Sequence, residues 1–272
     1  MNTLKILIPT DFSTVSLQGL QMAKMLAMKM PVQLHLLHVV EANDQDISEG
    51  INLSALMVKE SQASMNFNSL KESGENFQFQ IKRGLLIDEI NLAAAELSAD
   101  LVIMGTNGAD GFMEKISGSE AQHVARYLTI PLLTLRPHAP ITELKNILLV
   151  ADFEHFGNGI QMSMLKMIAE AFDSTIHLLQ ILKENDEKYA DQIKAQMNFF
   201  AREHVLNKFE IHLYRDHHVV EGVRNFNKES EMDLVCVRTH GRKGINHILF
   251  GSIAERLVNR CMKPLLTFKL KI

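Results

Sequence analysis

The chain repeats itself, and the repeat constrains its fold more than any other feature. The segment LIPTDFS (7–13) is answered by LVADFEH (149–155), which sets Asp11 over Asp152 at an offset of 141. QLHLLHVV (33–40) is answered by TIHLLQIL (175–182), with His35 over His177 at an offset of 142. Further along, the offset settles at 133. There Asp100-Leu-Val lies over Asp233-Leu-Val, Gly118-Ser119 over Gly251-Ser252, and PLLTL (131–135) over PLLTF (264–268). The drop from 142 to 133 leaves nine additional residues in the first half, between Glu41 and Gly84. Self-similarity on this scale marks two copies of one structural unit. The copies are expected over residues 1–137 and 143–272, joined by RPHAPITE (136–143), whose two prolines mark a linker.

Each copy follows one plan. In the first, the short apolar runs are LKILI, QLHLLHVV, FQFQI, DLVIM and PLLTL. Runs this short, apolar on both faces, suit strands of a parallel sheet covered by helices. Between them lie stretches with helical spacing. In LQGLQMAKMLAMKM, Leu20, Met22, Met25, Leu26 and Met28 favour one side; in LIDEINLAAAELSA, Ile87, Ile90, Ala94 and Leu97 fall at steps of three and four. The methionine stripe is expected to fill core rather than bind a ligand. EANDQDISEGINLS and LKESGENFQ are expected as loops. Alternating strands and helices predict an α/β fold: two tandem doubly wound, Rossmann-type parallel-sheet domains of about five strands each.

Composition removes several function classes. The chain is 46% hydrophobic and 22% charged, as a globular protein with a full core should be. A net charge of −4 gives no pull toward nucleic acid or an acidic membrane surface. No apolar run approaches the roughly 20 residues of a membrane span, and MNTLKILIPTDFS lacks the apolar region of a signal peptide. Cys236 and Cys261 make no disulfide framework. Cys236 is expected in the core and Cys261 in the last turn of a helix, both reduced, in a cytoplasmic protein.

Ligands of an open parallel sheet gather beyond the carboxyl ends of its strands. Two segments fall there: PTDFS after the first strand and GTNGADGFMEKISGS (105–119) after the fourth. PTDFS has no glycine, so the GxGxxG of a dinucleotide fold is excluded at that position. The chain also lacks GxxxxGK[ST], GxSxG and paired CxxC. In the second segment, Gly105 and Gly108 allow backbone N–H groups to converge, and Gly118 allows close approach. Ser119 opens SEAQHVARYL, where Ala121, Val124, Ala125 and Leu128 share a face. An anion at that helix start would meet free N–H groups and the positive end of the dipole. Ser119-x-x-Gln122 and Ser252-x-x-Glu255 also fit a capping box, so an ordinary capped loop is the alternative. The second copy, RTHGRKGINHILFGS (238–252), keeps the spacing from Gly241 through nine residues to Gly251-Ser252.

Pro-Thr-Asp-Phe-Ser, Leu-Leu-His-Val and Gly-x2-Gly-x9-Gly-Ser, in this order, resemble the universal stress protein family over nearly the whole chain, as two tandem domains on an adenine-nucleotide alpha-hydrolase-like fold. The resemblance implies ATP as ligand, with or without Mg²⁺. In that family the strand-one Asp and a strand-two Val approach the nucleoside, while the glycines and Ser hold phosphates. Carried over, this implicates Pro9, Thr10, Asp11, Val39, Met104, Gly105, Gly108, Gly118, Ser119 and Glu120. Asp152, Arg238, Gly241, Gly251 and Ser252 are the weaker second-half counterparts. A homodimer and unidentified protein partners are compatible with the resemblance.

The copies depart from the motif in opposite ways. Arg238 replaces the first glycine; its Cβ is expected to obstruct the backbone conformation there or its side chain to fill the phosphate space, the alternative being an added phosphate contact. Val150-Ala151 replaces Pro9-Thr10. The first half carries Asp110 where the second has Arg242-Lys243, so its glycine frame lacks nearby cations. Nucleotide is therefore expected in the first half. The twelve histidines include RDHHVV, with His217 and His218, alongside His212 and His240. Adjacent histidines on an extended segment point to opposite faces, so no specific metal site is expected. His35 and His38 are expected to be buried and hydrogen-bonded.

The function implied by the resemblance is an ATP-binding regulatory module of the stress response. No base–nucleophile pair is evident, so turnover of ATP would be slow at most. One alternative is an interaction scaffold without nucleotide, which Arg238 and Asp110 favour. The other is a nucleotide hydrolase or transferase on the same fold, which the absence of SGGxDS and HIGH signatures weakens.

Overall fold

A computed structural model of the chain describes residues 3–42, 53–106, 124–153, 162–239 and 247–269. The first half runs β1 (Leu4–Pro9), α1 (Thr14–Ala27), β2 (Val32–Glu41), α2 (Leu53–Glu72), β3 (Gln78–Gly84), α3 (Leu86–Leu97), β4 (Leu101–Gly105) and β5 (Leu132–Leu135). The second runs β6 (Asn146–Val150), α4 (Met162–Phe172), β7 (Thr175–Leu182), a 3₁₀ segment (Glu184–Tyr189), α5 (Ala190–Glu203) and β8 (Phe209–Arg215). It closes with α6 (Val219–Glu229), β9 (Leu234–Thr239), α7 (His247–Arg260) and β10 (Leu265–Lys269). Among the described residues no helix is long and apolar enough to cross a membrane.

All ten strands join one sheet, in the order β3-β2-β1-β4-β5-β10-β9-β6-β7-β8. Pairing is parallel within each half, and β5 meets β10 antiparallel at the centre. That central seam has twofold character. Thr134 Oγ1 donates to Leu265 O at 3.4 Å, and its counterpart Thr267 Oγ1 donates to Leu132 O at 3.2 Å.

The apolar runs are explained by burial on both faces. Ile6, Ile8 and Ile103 pack with Leu20, Met22 and Leu26 of α1 on one side, while Leu7, Val102 and Met104 pack with Ile90 and Ala94 of α3 on the other. Of the methionine stripe, Met22 is core, Met25 packs against the core and Met30 is buried after the helix, whereas Met28 lies beyond the end of α1 and is exposed. Cys236 is a core residue of β9, and burial pushes its thiol far above the ordinary range. Cys261 follows the last residue of α7, with burial pushing its thiol up to about 11. Asp100 and Asp233, repeated before β4 and β9, are structural. Asp100 accepts the Lys5 N–H at 2.9 Å, and Asp233 accepts those of Lys145 and Asn146 at 2.9 and 2.8 Å, pinning the starts of β1 and β6.

Two local expectations are corrected. Leu70–Glu72 is the end of α2 rather than loop, as are Leu53 and Ser54 at its start. That helix is anchored by the buried Leu56, Ala63 and Phe67, with Leu70 packed beside them, so its long exposed face hides the helical period, and Gly74 at φ +92° follows its end. The rest of EANDQDISEGINLS, after Ala42, lies outside the described residues. In the second half, α7 begins at His247, five residues before Ser252. Ser252 therefore caps no helix. The free N–H groups of α7 belong to its first turn and not to Gly251-Ser252.

Candidate functional site

In each half the strand order reverses beside the first strand: from β1 the chain passes to β2 and β3 on one side, then returns to β4 on the other. Such a switch point opens a crevice at the carboxyl ends of the two strands. At β1 that end is built around Ser16, in the first turn of α1. The Ser16 N–H donates to Ser13 Oγ at 3.2 Å, the N-cap bond of the helix. Its hydroxyl donates to Ser13 O at 3.0 Å, so its single proton is spent and the Thr10 hydroxyl, also at 3.0 Å, donates to it. Thr10 Oγ1 in turn accepts the Phe12 N–H at 3.0 Å.

That last bond holds an unusual backbone. Phe12 stands at φ +64°, a conformation costly for a residue with a Cβ. Its ring is fixed edge-on to Phe67 at 4.7 Å and tilted against His38 at 5.1 Å. His38 Nδ1 donates to Thr10 O at 2.8 Å. The strained turn aims Asp11 outward. Asp11 Oδ1 accepts the Ser13 N–H at 3.0 Å, and the residue is exposed. Partial burial of the carboxyl raises its pKa, but hydrogen bonds from the Ser13 side chain and backbone outweigh this and hold it below the usual value. The group is an ionised acceptor at the mouth of the crevice.

β4 closes the other side. A Cβ on Gly105 would stand 2.0 Å from Val15 O and 2.9 Å from Ser16 Cα. Gly105 lies in extended strand, so it is needed for space and not for a left-handed φ. This corrects the expected reason for the glycine; at the corresponding position β9 carries Arg238. Met104 is fully buried, and Val39 is half-buried against the same core layer. Thr106, which the sequence did not single out, is 1% exposed, and its Oγ1 has no hydrogen-bond partner among the described residues. A buried hydroxyl with nothing to bond, one residue past Gly105, is the mark of a site that expects a ligand or water.

The structure thus brings Pro9, Thr10, Asp11 and Gly105 to one crevice, with Val39 and Met104 in the layer behind it. Gly108, Gly118, Ser119, Glu120 and Gly241 lie outside the described residues, as does His240; Arg238, Gly251 and Ser252 are described in backbone only.

The second half is simpler at the same place. Ala151 has no hydroxyl for Phe153, whose N–H instead donates to Gln180 Oε1 at 3.2 Å. Gln180 occupies the position of His38, and Phe153 adopts no positive φ and is buried against Phe200. Asp152 is half-buried. Of the strand-two histidines, His38 is hydrogen-bonded as expected, but the buried His35 has no partner at Nε2. Gln78 and Gln80 stand across from it on β3, and neither bonds that atom.

The family model described as universal stress protein family matches residues 2–136 and again 143–269. A universal stress protein of Synechocystis is 23% identical, covering 97% of this chain and 99% of its own. One from Methanocaldococcus jannaschii is 29% identical over 48% of this chain and 81% of its own. Among solved structures, a universal stress protein from Archaeoglobus fulgidus superposes with a TM-score of 0.74 at 17% identity, over 99% of both chains.

Proposed function

Because this chain belongs to the universal stress protein family, we propose that it is a cytoplasmic nucleotide-responsive regulator whose first half binds ATP, with or without Mg²⁺. The observation that carries the proposal is the junction of Thr10, Ser16 and Gly105. It fixes an ionised Asp11 at the mouth of the crevice and leaves the Thr106 hydroxyl unpaired beside it. An ionised carboxylate only accepts hydrogen bonds, so it suits the donors of a nucleoside and repels phosphate. The phosphates would then lie away from Asp11, and the family resemblance assigns them to Gly108, Gly118 and Ser119. Asp110 adds a negative charge to the same loop sequence, which calls for Mg²⁺ as a screen.

Turnover in this proposal is slow, because Asp11, held by the Ser13 N–H, has no nucleophile beside it to activate among the described residues. The second half is assigned a scaffold role, favoured by Ala151 and Arg238 in place of Thr10 and Gly105. Mass spectrometry of nucleotide released from denatured protein, followed by ATP titration with and without Mg²⁺, tests the assignment. Gly118→Val should abolish binding and Gly251→Val should leave it. Loss on Gly251→Val alone would move the site to the second half, and no binding at millimolar ATP would remove it.

A further inference from the structure

In the second half, the amino ends of β7 and β8 carry a second cluster. Successive strand residues alternate faces, so Glu210 and His212 share one face of the edge strand β8. Register places His177 of β7 directly across from Glu210 and diagonal to His212. His177 Nδ1 lies 2.9 Å from His212 Nε2, and Glu210 Oε2 lies 3.6 Å from each of those nitrogens. Zinc bonds to imidazole and carboxylate of about 2.0–2.2 Å put neighbouring ligands of a tetrahedron about 3.3–3.6 Å apart. Two sides of this triangle already have that length, and the third is slightly short.

The short side has a simple cause. His177 Nε2 is 3.2 Å from Asn146 Oδ1, an acceptor, so its proton sits on Nε2 and Nδ1 offers a lone pair. The His212 Nε2–H then donates to it, with ring centroids 5.2 Å apart. A metal ion would take the place of that shared proton. His212 would move its proton to Nδ1, and both rings would tilt toward Glu210. Asn146 is the kind of partner that orients a ligating imidazole through its other nitrogen. Burial holds both imidazoles below the ordinary histidine range, which keeps them neutral and ready to ligate. Phe226 packs against His212 from α6, and Glu210, with 59% of its side chain exposed, leaves the cluster open to solvent.

The first half is an internal control. The positions of Glu210 and His212 are held there by Gln78 and Gln80 across from His35, and the place of Asn146 by Lys5. One scaffold carries a ligand set in one copy and none in the other. The sequence expectation of no specific metal weighed His212 with His217, His218 and His240, the wrong companions. His177 is 35 residues away and meets His212 only through strand pairing.

We propose that His177, Glu210 and His212 form a binding site for a divalent transition-metal ion of the zinc class, with solvent at the fourth position. The site stands apart from the nucleotide crevice and is independent of it. Zn²⁺ and Mg²⁺ titrations of the metal-free full chain, with Co²⁺ absorption as a probe of geometry, test it. One equivalent of Zn²⁺ should bind and Mg²⁺ should not compete, with Co²⁺ giving the intense visible bands of a four-coordinate site. Glu210→Gln changes an exposed side chain and spares the fold, and should cost more than the about 10–100-fold expected when an orienting partner such as Asn146 is removed. His212→Gln should abolish the cobalt bands. Zn²⁺ binding that survives Glu210→Gln and His212→Gln but falls on changing His217 and His218 would overturn the proposal, as would failure of the unaltered chain to bind.

Discussion

The two halves share one scaffold but elaborate opposite ends of it. At the carboxyl ends of its strands the first half has Thr10 clamping a strained Phe12, an outward Asp11 and a glycine pressed on α1. The second half has an alanine, a relaxed phenylalanine and an arginine at those positions. At the amino ends the contrast reverses. His177, Glu210, His212 and Asn146 form a connected cluster, while His35 faces two glutamines and a lysine and keeps an unbonded nitrogen. The two copies keep a shared packing and differ in the side chains at their strand ends. The packing itself is common to both, down to the paired roles of Asp100 with Asp233 and Thr134 with Thr267.

The sharpest way to break this comparison is at the glycine. Gly105→Ala puts a Cβ 2.0 Å from Val15 O, main chain that cannot swing aside. The cost should reach or exceed the upper end of the about 1–3 kcal/mol of ordinary overpacking. Arg238→Gly in the second half should cost only the about 0.5–1 kcal/mol of a flexible strand residue. Urea denaturation of both variants checks the pair, and a neutral Gly105→Ala would show that β4 does not rest on α1 as described.

Next in size is the charge at Asp11. Asparagine retains an oxygen for the Ser13 N–H, so Asp11→Asn keeps the turn and removes only the ionised acceptor. A charge-assisted hydrogen bond is worth about 1.5–3 kcal/mol, or about 10–100-fold in ATP affinity. Asp152→Asn should change affinity by less than about twofold, since no ligand hydrogen bond is lost there. Equal losses at both positions, read by calorimetric titration, would mean that the halves bind nucleotide alike.

How much of this was legible in the sequence differs by level. LKILI and DLVIM mark β1 and β4 to within a residue, because strands buried on both faces must be continuously apolar. The end of α2 was not legible, because Leu70 is half-buried but is followed by the exposed, polar Lys71 and Glu72. Asp11 stands in a repeated motif and Gly105 opens a glycine motif, so both are visible as candidates in the sequence. Ser16 and Thr106 are not, since their importance comes from burial and from which hydroxyl has spent its proton. The histidine cluster was hidden for a different reason. Nothing in the spacing of His177, Glu210 and His212 fixes the register of β7 on β8, and only that register brings them together.

The smallest expected effect is on acid stability, and it separates the halves by what faces each histidine. Burial lowers the His177 pKa, with Glu210 opposing and His212 adding to the shift; burial lowers that of His212, again with Glu210 opposing. For His35, burial and Lys5 both act downward, with only Gln78 and Gln80 across from it on β3. In all three the native pKa lies below the unfolded value of about 6.5. As pH falls through that value the unfolded chain takes up protons that the native chain refuses. Stability therefore declines with falling pH and levels off only below the native pKa values. Thermal melts of the metal-free protein between about pH 7.5 and pH 5.5 should show that decline. His35→Gln should flatten it, because it removes a group with no carboxylate to favour its protonation. His212→Gln should flatten it less, since Glu210 already offsets part of the shift there. If His212→Gln flattens the profile more than His35→Gln, Glu210 does not offset the burial of its neighbours, and the cluster is electrostatically unlike the one described.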